Sequence, residues 1–200
     1  MKLLIAIPSN EQMHAGFVQS LVKLVRQLDK DGIDFTVSIN SGSLVYDARE
    51  KLAAKARFEN FTHVLWLDSD MVFGEDVFSK LLAHDKDFVT GVCHARRYPY
   101  VSCCFKRLQP EAVRYRRDCY PDDLFQIEAS GFACVLTTTN LLRAIKHTHG
   151  TLFMPTTAYG EDLAFCSRAR ECGFELWADP AVRPKHIGYI EIDANNEVID

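Results

Sequence analysis

The 200-residue chain has no apolar run approaching the roughly 20 residues that a membrane-spanning helix needs, so no transmembrane segment is expected. It has no paired Cys-x-x-Cys spacing, and its seven cysteines are an odd number. Cys103, Cys104 and Cys119 lack zinc-knuckle spacing. Free thiols in a reducing cytoplasm are the expectation, not a disulfide framework. No Walker-type loop and no Gly-x-Gly-x-x-Gly stretch occurs, which argues against ATP hydrolysis and dinucleotide-dependent dehydrogenation. Linkers, internal repeats and low-complexity segments are missing too. The opening MKLLIAIPSNEQMH offers one lysine and a short apolar stretch, then Pro8 and polar residues in place of a small-residue cleavage site. It reads as a first buried strand rather than a signal peptide.

What is present is ordinary in bulk and uneven in detail. Apolar residues make up 48% and charged residues 25%, the composition of one compact globular domain over residues 1–200. The net charge is −4. Between His94 and Arg117, however, stand Arg96, Arg97, Lys106, Arg107, Arg114, Arg116 and Arg117 against the single acid Glu111. That segment carries +6, which leaves −10 on the rest. A basic patch on an acidic body points to a phosphate-bearing ligand or an anionic surface, or else to a solvated arginine-rich loop. Tyr98, Tyr100, Phe105, Tyr115 and Tyr120 interleave with these arginines, a pattern that stacks on bases or sugars or forms a mixed surface hairpin.

Apolar runs at 3–7, 35–39, 63–67 and 88–93 read as strands, and helical spacing marks 16–28, 44–58 and 75–83. Strand and helix alternate through the first 93 residues, which predicts a parallel sheet covered on both faces. The second half changes character, with an extended piece at 100–106, strands at 132–137 and 175–178, and helices at 140–147 and 163–172. A tail of short extended segments follows Asp179-Pro180. In open parallel sheets ligands sit beyond the carboxyl ends of the strands. Pro8-Ser9-Asn10 and Asp68-Ser69-Asp70 therefore belong to one edge.

Four features carry chemistry. Asp68-Ser69-Asp70 closes the apolar strand Val64-Leu65-Trp66-Leu67, and two such carboxylates cannot both be sheltered without a cation. Hard oxygen donors of this kind suit Mg²⁺ or Mn²⁺ completed by phosphate and water, though the same residues make a solvated turn or a helix cap. Glu161-Asp162 opens a helix after Gly160, where acids either complement the helix dipole or divide the roles of base and orienting group. His186 is either structural or a neutral ligand completing a carboxylate site. Arg49, within the second helix, fits either a phosphate contact or a surface ion pair.

In order along the chain, Pro8-Ser9, Asp47-Ala48-Arg49, Asp68-Ser69-Asp70, Ser130-Gly131-Phe132, Gly160-Glu161-Asp162 with Phe165-Cys166-Ser167-Arg168, and Asp179-Pro180 with His186-Ile187-Gly188 resemble a small glycosyltransferase of the GT-A fold, similar to the family 2 enzymes. The resemblance spans residues 3–188. It implies a single-domain, Rossmann-like α/β/α sandwich with a mostly parallel central sheet and a small C-terminal acceptor-side region. Residues 1–93 would form the nucleotide-binding half and 94–200 the acceptor and catalytic half. It further implies that Asp68, Asp70 and His186 hold Mn²⁺ or Mg²⁺ and the donor diphosphate, with Asp68 nearer the ribose. Pro8, Ser9, Arg49, Asp68, Ser69, Ser130 and Gly131 would bind the nucleotide-sugar donor, and Asp162, beside Glu161, would deprotonate the acceptor hydroxyl.

The chain departs from the family pattern in having Glu50 after Arg49, where many relatives have Asn. It also lacks the Gln-x-x-Arg-Trp motif of processive synthases. Transfer of one sugar from a nucleotide sugar, with a UDP-sugar the expected donor, to a carbohydrate, lipid-linked or nucleic-acid acceptor is the implied activity. The alternatives are a nucleotidyltransferase, and a non-catalytic sugar- or nucleic-acid-binding protein that keeps the fold.

Overall fold

A computed structural model describes residues 1–42, 44–116 and 118–188, and the backbone of 191–192 and 198–199. Arg117 of the basic segment and most of the tail after 188 lie outside the described residues. In chain order the elements are β1 (Lys2–Ser9), α1 (Ala15–Lys30), β2 (Asp34–Ser41), α2 (Val45–Phe58), β3 (His63–Leu67), β4 (Met71–Val72), α3 (Val77–Leu82) and β5 (Phe88–Gly91). Then come β6 (Cys104–Arg107), β7 (Val113–Arg114), β8 (Phe125–Ile127), β9 (Ala129–Ser130), β10 (Cys134–Thr138), α4 (Thr139–His149), α5 (Glu161–Glu171), β11 (Leu176–Asp179), β12 (Lys185–His186), β13 (Glu191–Ile192) and β14 (Val198–Ile199).

Seven strands form the central sheet in the order β2-β1-β3-β10-β5-β11-β8. It is mostly parallel, as expected, and draws strands from both halves of the chain. The run of parallel strands breaks in two places. β10 is inserted antiparallel between β3 and β5, and β8 closes the edge antiparallel to β11. The apolar string of β10 carries no signal of direction, because a strand buried on both faces is apolar throughout either way. The extended piece expected at 100–106 splits into an isolated bridge between His94 and Ser102 and the strand β6, which pairs with β7 and β9 in a small second sheet.

Helices cover both faces of the central sheet. Leu3, Ile5 and Ile7 of β1 point to one layer with Phe17, Leu24 and Leu28 of α1 and Phe78 and Leu81 of α3. Leu4 and Ala6 point to the other with Leu52, Ala53 and Ala56 of α2 and residues of α4 and α5. α1 starts where the His14 ring accepts from the Gly16 amide, and it stops before Gly32, whose φ of 68° a bulkier residue rarely adopts. Within the second layer Trp66 donates its indole N–H to Thr137 at 3.0 Å. Phe132, Phe153 and Phe165 pack around it with ring centroids 4.7–5.0 Å apart. Aromatic pairs of this kind contribute about 0.5–1.5 kcal/mol each beyond their buried area.

The chain then turns back toward the carboxyl edge of the sheet. Asp179, at the end of β11, accepts from the Ala181 amide at 2.7 Å and contacts His84 at 2.8 Å. Val182 lies against Gly91, where a Cβ would come within 2.7 Å of its side chain, and its carbonyl accepts from Val92 at 2.8 Å. This clamp aims β12 at β4, with which it pairs antiparallel. No helix among the described residues is long and apolar enough to cross a membrane.

Candidate active site

β1 and β3 end side by side at Ser9 and Leu67, so their following loops share one edge. An open cleft of about 580 Å³ lies there, lined by Pro8, Ser9, Asp68, Ser69 and Asp70 among others. These five expected residues are brought together. The cleft wall also includes Asn10, expected on this edge from its place after β1, together with His14 and Arg96, for which no place in the site was expected. His14 caps α1, and its own amide donates to the Ser69 carbonyl at 3.2 Å. Arg96 sat within the basic run, but nothing in the sequence pairs it with residue 70.

The short β4–β12 ladder brings His186 to Asp70. The Ile187 amide donates to the Asp70 carbonyl at 3.0 Å, and His186 Nε2 lies 3.2 Å from Asp70 Oδ2. The other ring nitrogen, Nδ1, meets the His94 carbonyl at 2.9 Å, which fixes the ring. Arg96 Nη1 donates to the same Asp70 oxygen at 2.7 Å. The hydrogen bond to Asp70 pushes the His186 pKa up. Burial would raise the Asp70 carboxyl, but His186 and Arg96 outweigh it and hold it below its ordinary value.

A second cluster lies deeper and meets the first at Asp68. Arg49 is 2% exposed, on the inward stripe of α2 with Ala48, Leu52 and Ala53. Its Nη2 donates to Asp68 Oδ1 at 3.0 Å, while Nη1 donates to Asp162 and lies 3.4 Å from Glu161 Oε1. The guanidinium rests over Phe132 at 5.3 Å and Phe153 at 5.9 Å. Arg49 is therefore not a surface ion pair, and it meets the cleft through Asp68 rather than standing among the residues that line it. It is the buried counter-ion of three carboxylates whose side chains stay 26–28% exposed on their outer sides.

Glu50, which departs from the family pattern, has a structural role. Its Oε1 accepts from the Thr151 hydroxyl at 2.6 Å and from the Leu152 and Phe153 amides at 2.5 and 2.7 Å. This rivets α2 to the segment that carries Phe153 beneath Arg49. Arg168 holds the same segment by donating to the Leu152 and Met154 carbonyls at 2.8 and 2.7 Å.

Burial pushes the Asp162 carboxyl up to about 6; Arg49 opposes that shift, while Glu161 and Asp68 add to it. Burial also raises Asp68, again against Arg49. Gly131 lies beside Asp162: a Cβ there would stand 3.7 Å from Asp162 Oδ2 and 3.4 Å from the Cys103 Cβ. Its bare backbone leaves that space open. Ser130 is different. It is 1% exposed, and its hydroxyl donates to the Gly131 carbonyl at 2.9 Å, so its side chain turns inward. Cys103 borders the same space, and burial raises its thiol to about 11, which leaves it protonated and unreactive at neutral pH.

The three expected metal ligands are divided. Asp70 and His186 converge, whereas Asp68 is committed to Arg49, and among the described residues no three His, Cys, Asp or Glu side chains form a metal-holding group. The converging pair still fits a hard divalent cation that keeps water and phosphate in its shell. Neighbouring ligands at about 2.1 Å from an octahedral ion stand about 3.0 Å apart, close to the 3.2 Å between Nε2 and Oδ2. Arg96 supplies positive charge at that oxygen, from a side chain that is half exposed.

No protein-family model and no curated protein sequence matches the chain. Solved structures do. The whole chain superposes on 93% of A197 from STIV with a TM-score of 0.66 at 18% identity. GalNAc-T7, solved with UDP, GalNAc and Mn²⁺, matches 93% of the chain over 43% of its own length, with a TM-score of 0.60 at 11% identity. A putative glucose-1-phosphate thymidylyltransferase from Bacillus anthracis matches 94% of the chain and 87% of its own, with a TM-score of 0.50 at 10% identity. The fold is thus the mixed α/β fold shared by GT-A glycosyltransferases and nucleotidyltransferases. At these identities the likeness is one of fold.

Proposed function

We propose that the protein is a divalent-metal-dependent glycosyltransferase that moves a single sugar from a nucleoside-diphosphate sugar to a hydroxyl acceptor, with UDP the first nucleotide to test. One observation carries the reading. Asp68 joins an open cleft holding the Asp70–His186 pair to a buried arginine that orients a carboxylate with a pKa of about 6. The order of motifs along the chain supports the same conclusion. So does a neighbour solved with UDP and Mn²⁺.

In this reading Pro8, Ser9 and Ser69 line the nucleotide, and Asp68 lies nearest the ribose. Asp70 and His186 would hold Mn²⁺ or Mg²⁺, with Arg96 giving up its contact to Asp70. When bound, the cation supplies Lewis-acid charge against the leaving diphosphate. Gly131 lets the donor sugar approach Asp162. Asp162 Oδ2 takes the acceptor proton, and a pKa near 6 leaves it mostly ionised yet basic at neutral pH. Arg49 holds its other oxygen, and Glu161 shares that arginine.

The thymidylyltransferase neighbour favours a second reading, nucleotidyl transfer, on the same sheet. Residues 9–16 after β1 contain no lysine and one glycine, which is poor for cradling a triphosphate. A thermal-shift screen of UDP, GDP, CDP, ADP and dTDP, each with and without Mn²⁺, tests the proposal. A saturating ligand at a hundredfold excess over Kd stabilises the native chain by about 2.7 kcal/mol. A metal-dependent shift with one diphosphate is expected. No shift with any overturns the reading, and release of pyrophosphate from a nucleotide triphosphate replaces it with the second.

A further inference from the structure

A second cavity, of about 600 Å³, lies against the donor cleft, with Arg96 in the walls of both and the His186 ring in the partition. We propose that this cavity is an anion subsite that takes a phosphate monoester. In the glycosyl-transfer reading, on which this assignment rests for its role, that group belongs to the acceptor.

The walls carry three cations, Arg96, Arg183 and Lys185, against one acid, Asp118. Two of the four charges already have partners: Arg96 meets Asp70, and Asp118 meets Arg116 at 3.0 Å. That leaves Arg183 and Lys185. Arg183 is held by its Nε, which donates to the Pro180 carbonyl at 2.7 Å, so the two Nη groups of its fork remain available for oxyanions. No ion pair is formed by Lys185 among the described residues, and it is exposed beside His186. Two positive charges without acidic partners among the described residues, in one pocket, make it a place where a dianion is stabilised.

Part of the lining is carried by a tightly turned backbone. Tyr100 has φ of 52°, a left-handed conformation that bulky residues rarely adopt. The turn that imposes it is pinned by Tyr100 N–H to Arg97 O at 2.8 Å and Ala95 N–H to Val101 O at 2.9 Å. Gly188 passes under the same turn, where a Cβ would lie 2.8 Å from the Arg96 carbonyl. Tyr100 and Pro184 thus give a fixed surface beside the two cations, suited to the body that bears the phosphate.

A monoester fits better than a polynucleotide backbone. The basic run of 94–117 reads as a continuous patch in sequence, but the fold disperses it. Arg114 donates to the Ser102 carbonyl at 2.6 Å and covers the Phe105 ring at 4.1 Å. Arg116 is paired with Asp118, and Arg107 turns to the Glu111 carbonyl at 3.4 Å. Arg183 and Lys185, which lie outside that run, share one pocket with Arg96, whereas Arg107, Arg114 and Arg116 of the run each turn to a separate partner.

The test is calorimetric titration of inorganic phosphate into the full chain saturated with UDP and Mg²⁺. Phosphate is expected to bind alongside UDP, to keep its affinity in Lys185→Arg, and to lose about tenfold or more in Lys185→Glu and Arg183→Glu. Tighter binding of glucose 6-phosphate, or of vesicles containing dodecyl phosphate, also supports the subsite and tells a soluble source from a lipid one. The proposal is overturned if phosphate binds only when UDP is absent, if charge reversal leaves its affinity unchanged, or if it does not bind at all. It is equally overturned if a single-stranded oligonucleotide binds far tighter than phosphate with the steep salt dependence of several phosphate contacts. If UDP fails to bind, the donor reading falls separately, and the same titration of the unliganded chain and its variants still decides the cavity.

Discussion

Two arginines meet the carboxylates of this site, and they do opposite work. Arg49 is 2% exposed, lies over two phenylalanine rings and neutralises three acids at once. Arg96 is 52% exposed and meets one acid, Asp70. The buried arginine has no solvent to return to, so it fixes the geometry of Asp68 and Asp162. The exposed one can trade its protein contact for water at little cost and leave Asp70 to a cation. The fold thus separates a permanent counter-ion from an exchangeable one.

The largest effect expected from breaking this contrast is Arg49→Met. Removing one member of a buried ion network leaves the others uncompensated and costs about 3–5 kcal/mol, to be read as a lower denaturant midpoint. A change under about 1 kcal/mol would mean that the carboxylates escape to water and that Arg49 organises nothing. Asp162→Asn comes next: turnover should fall about a hundredfold or more, while the metal-dependent nucleotide thermal shift stays near that of the native chain. Full turnover would remove Asp162 as the base.

Asp70→Ala sharpens the other side. Its own stability should move by no more than about 0.5 kcal/mol, since Asp70 is half-buried at a loop, but the Mn²⁺-dependent part of the nucleotide shift should disappear. The pH profile is milder. With Asp162 at about 6, kcat/KM should fall about tenfold per pH unit below that point. Because the folded carboxyl holds its proton more tightly than the unfolded one, its contribution to stability is complete at acid pH and is lost as pH rises through about 6. Arg96→Ala is the smallest: stability unchanged within about 0.5 kcal/mol and Mn²⁺ bound a few-fold more tightly by calorimetry. Weaker Mn²⁺ binding would show that Arg96 assists the cation rather than competing with it.

The layered fold was legible because its signals are local. The apolar string of β1, the 3.6-residue spacing of α1 and the glycine stop at Gly32 each act within a few residues. Asp68-Ser69-Asp70 could be placed at the right edge for the same reason. Contacts between distant segments were not legible. The antiparallel insertion of β10 depends on which neighbours it meets, not on its own composition. Arg49 looked like a surface residue because charge usually faces water. Its partners, Glu161 and Asp162, lie more than a hundred residues away. The alanines around it marked the buried stripe, and position 49 lies on that stripe. Arg96 and Asp70, 26 residues apart, left no pattern that spacing could find.

The two-residue ladder between β4 and β12 also has a consequence for how the molecule divides along its sequence. All seven strands of the central sheet are complete by Asp179, but the imidazole that meets Asp70 arrives only at residue 186 and is anchored by the amide of Ile187. A chain cut after Asp179 would therefore keep every strand of that sheet and lose the ring that meets Asp70. Shape and the last contact of the cleft are carried by separable stretches of the sequence.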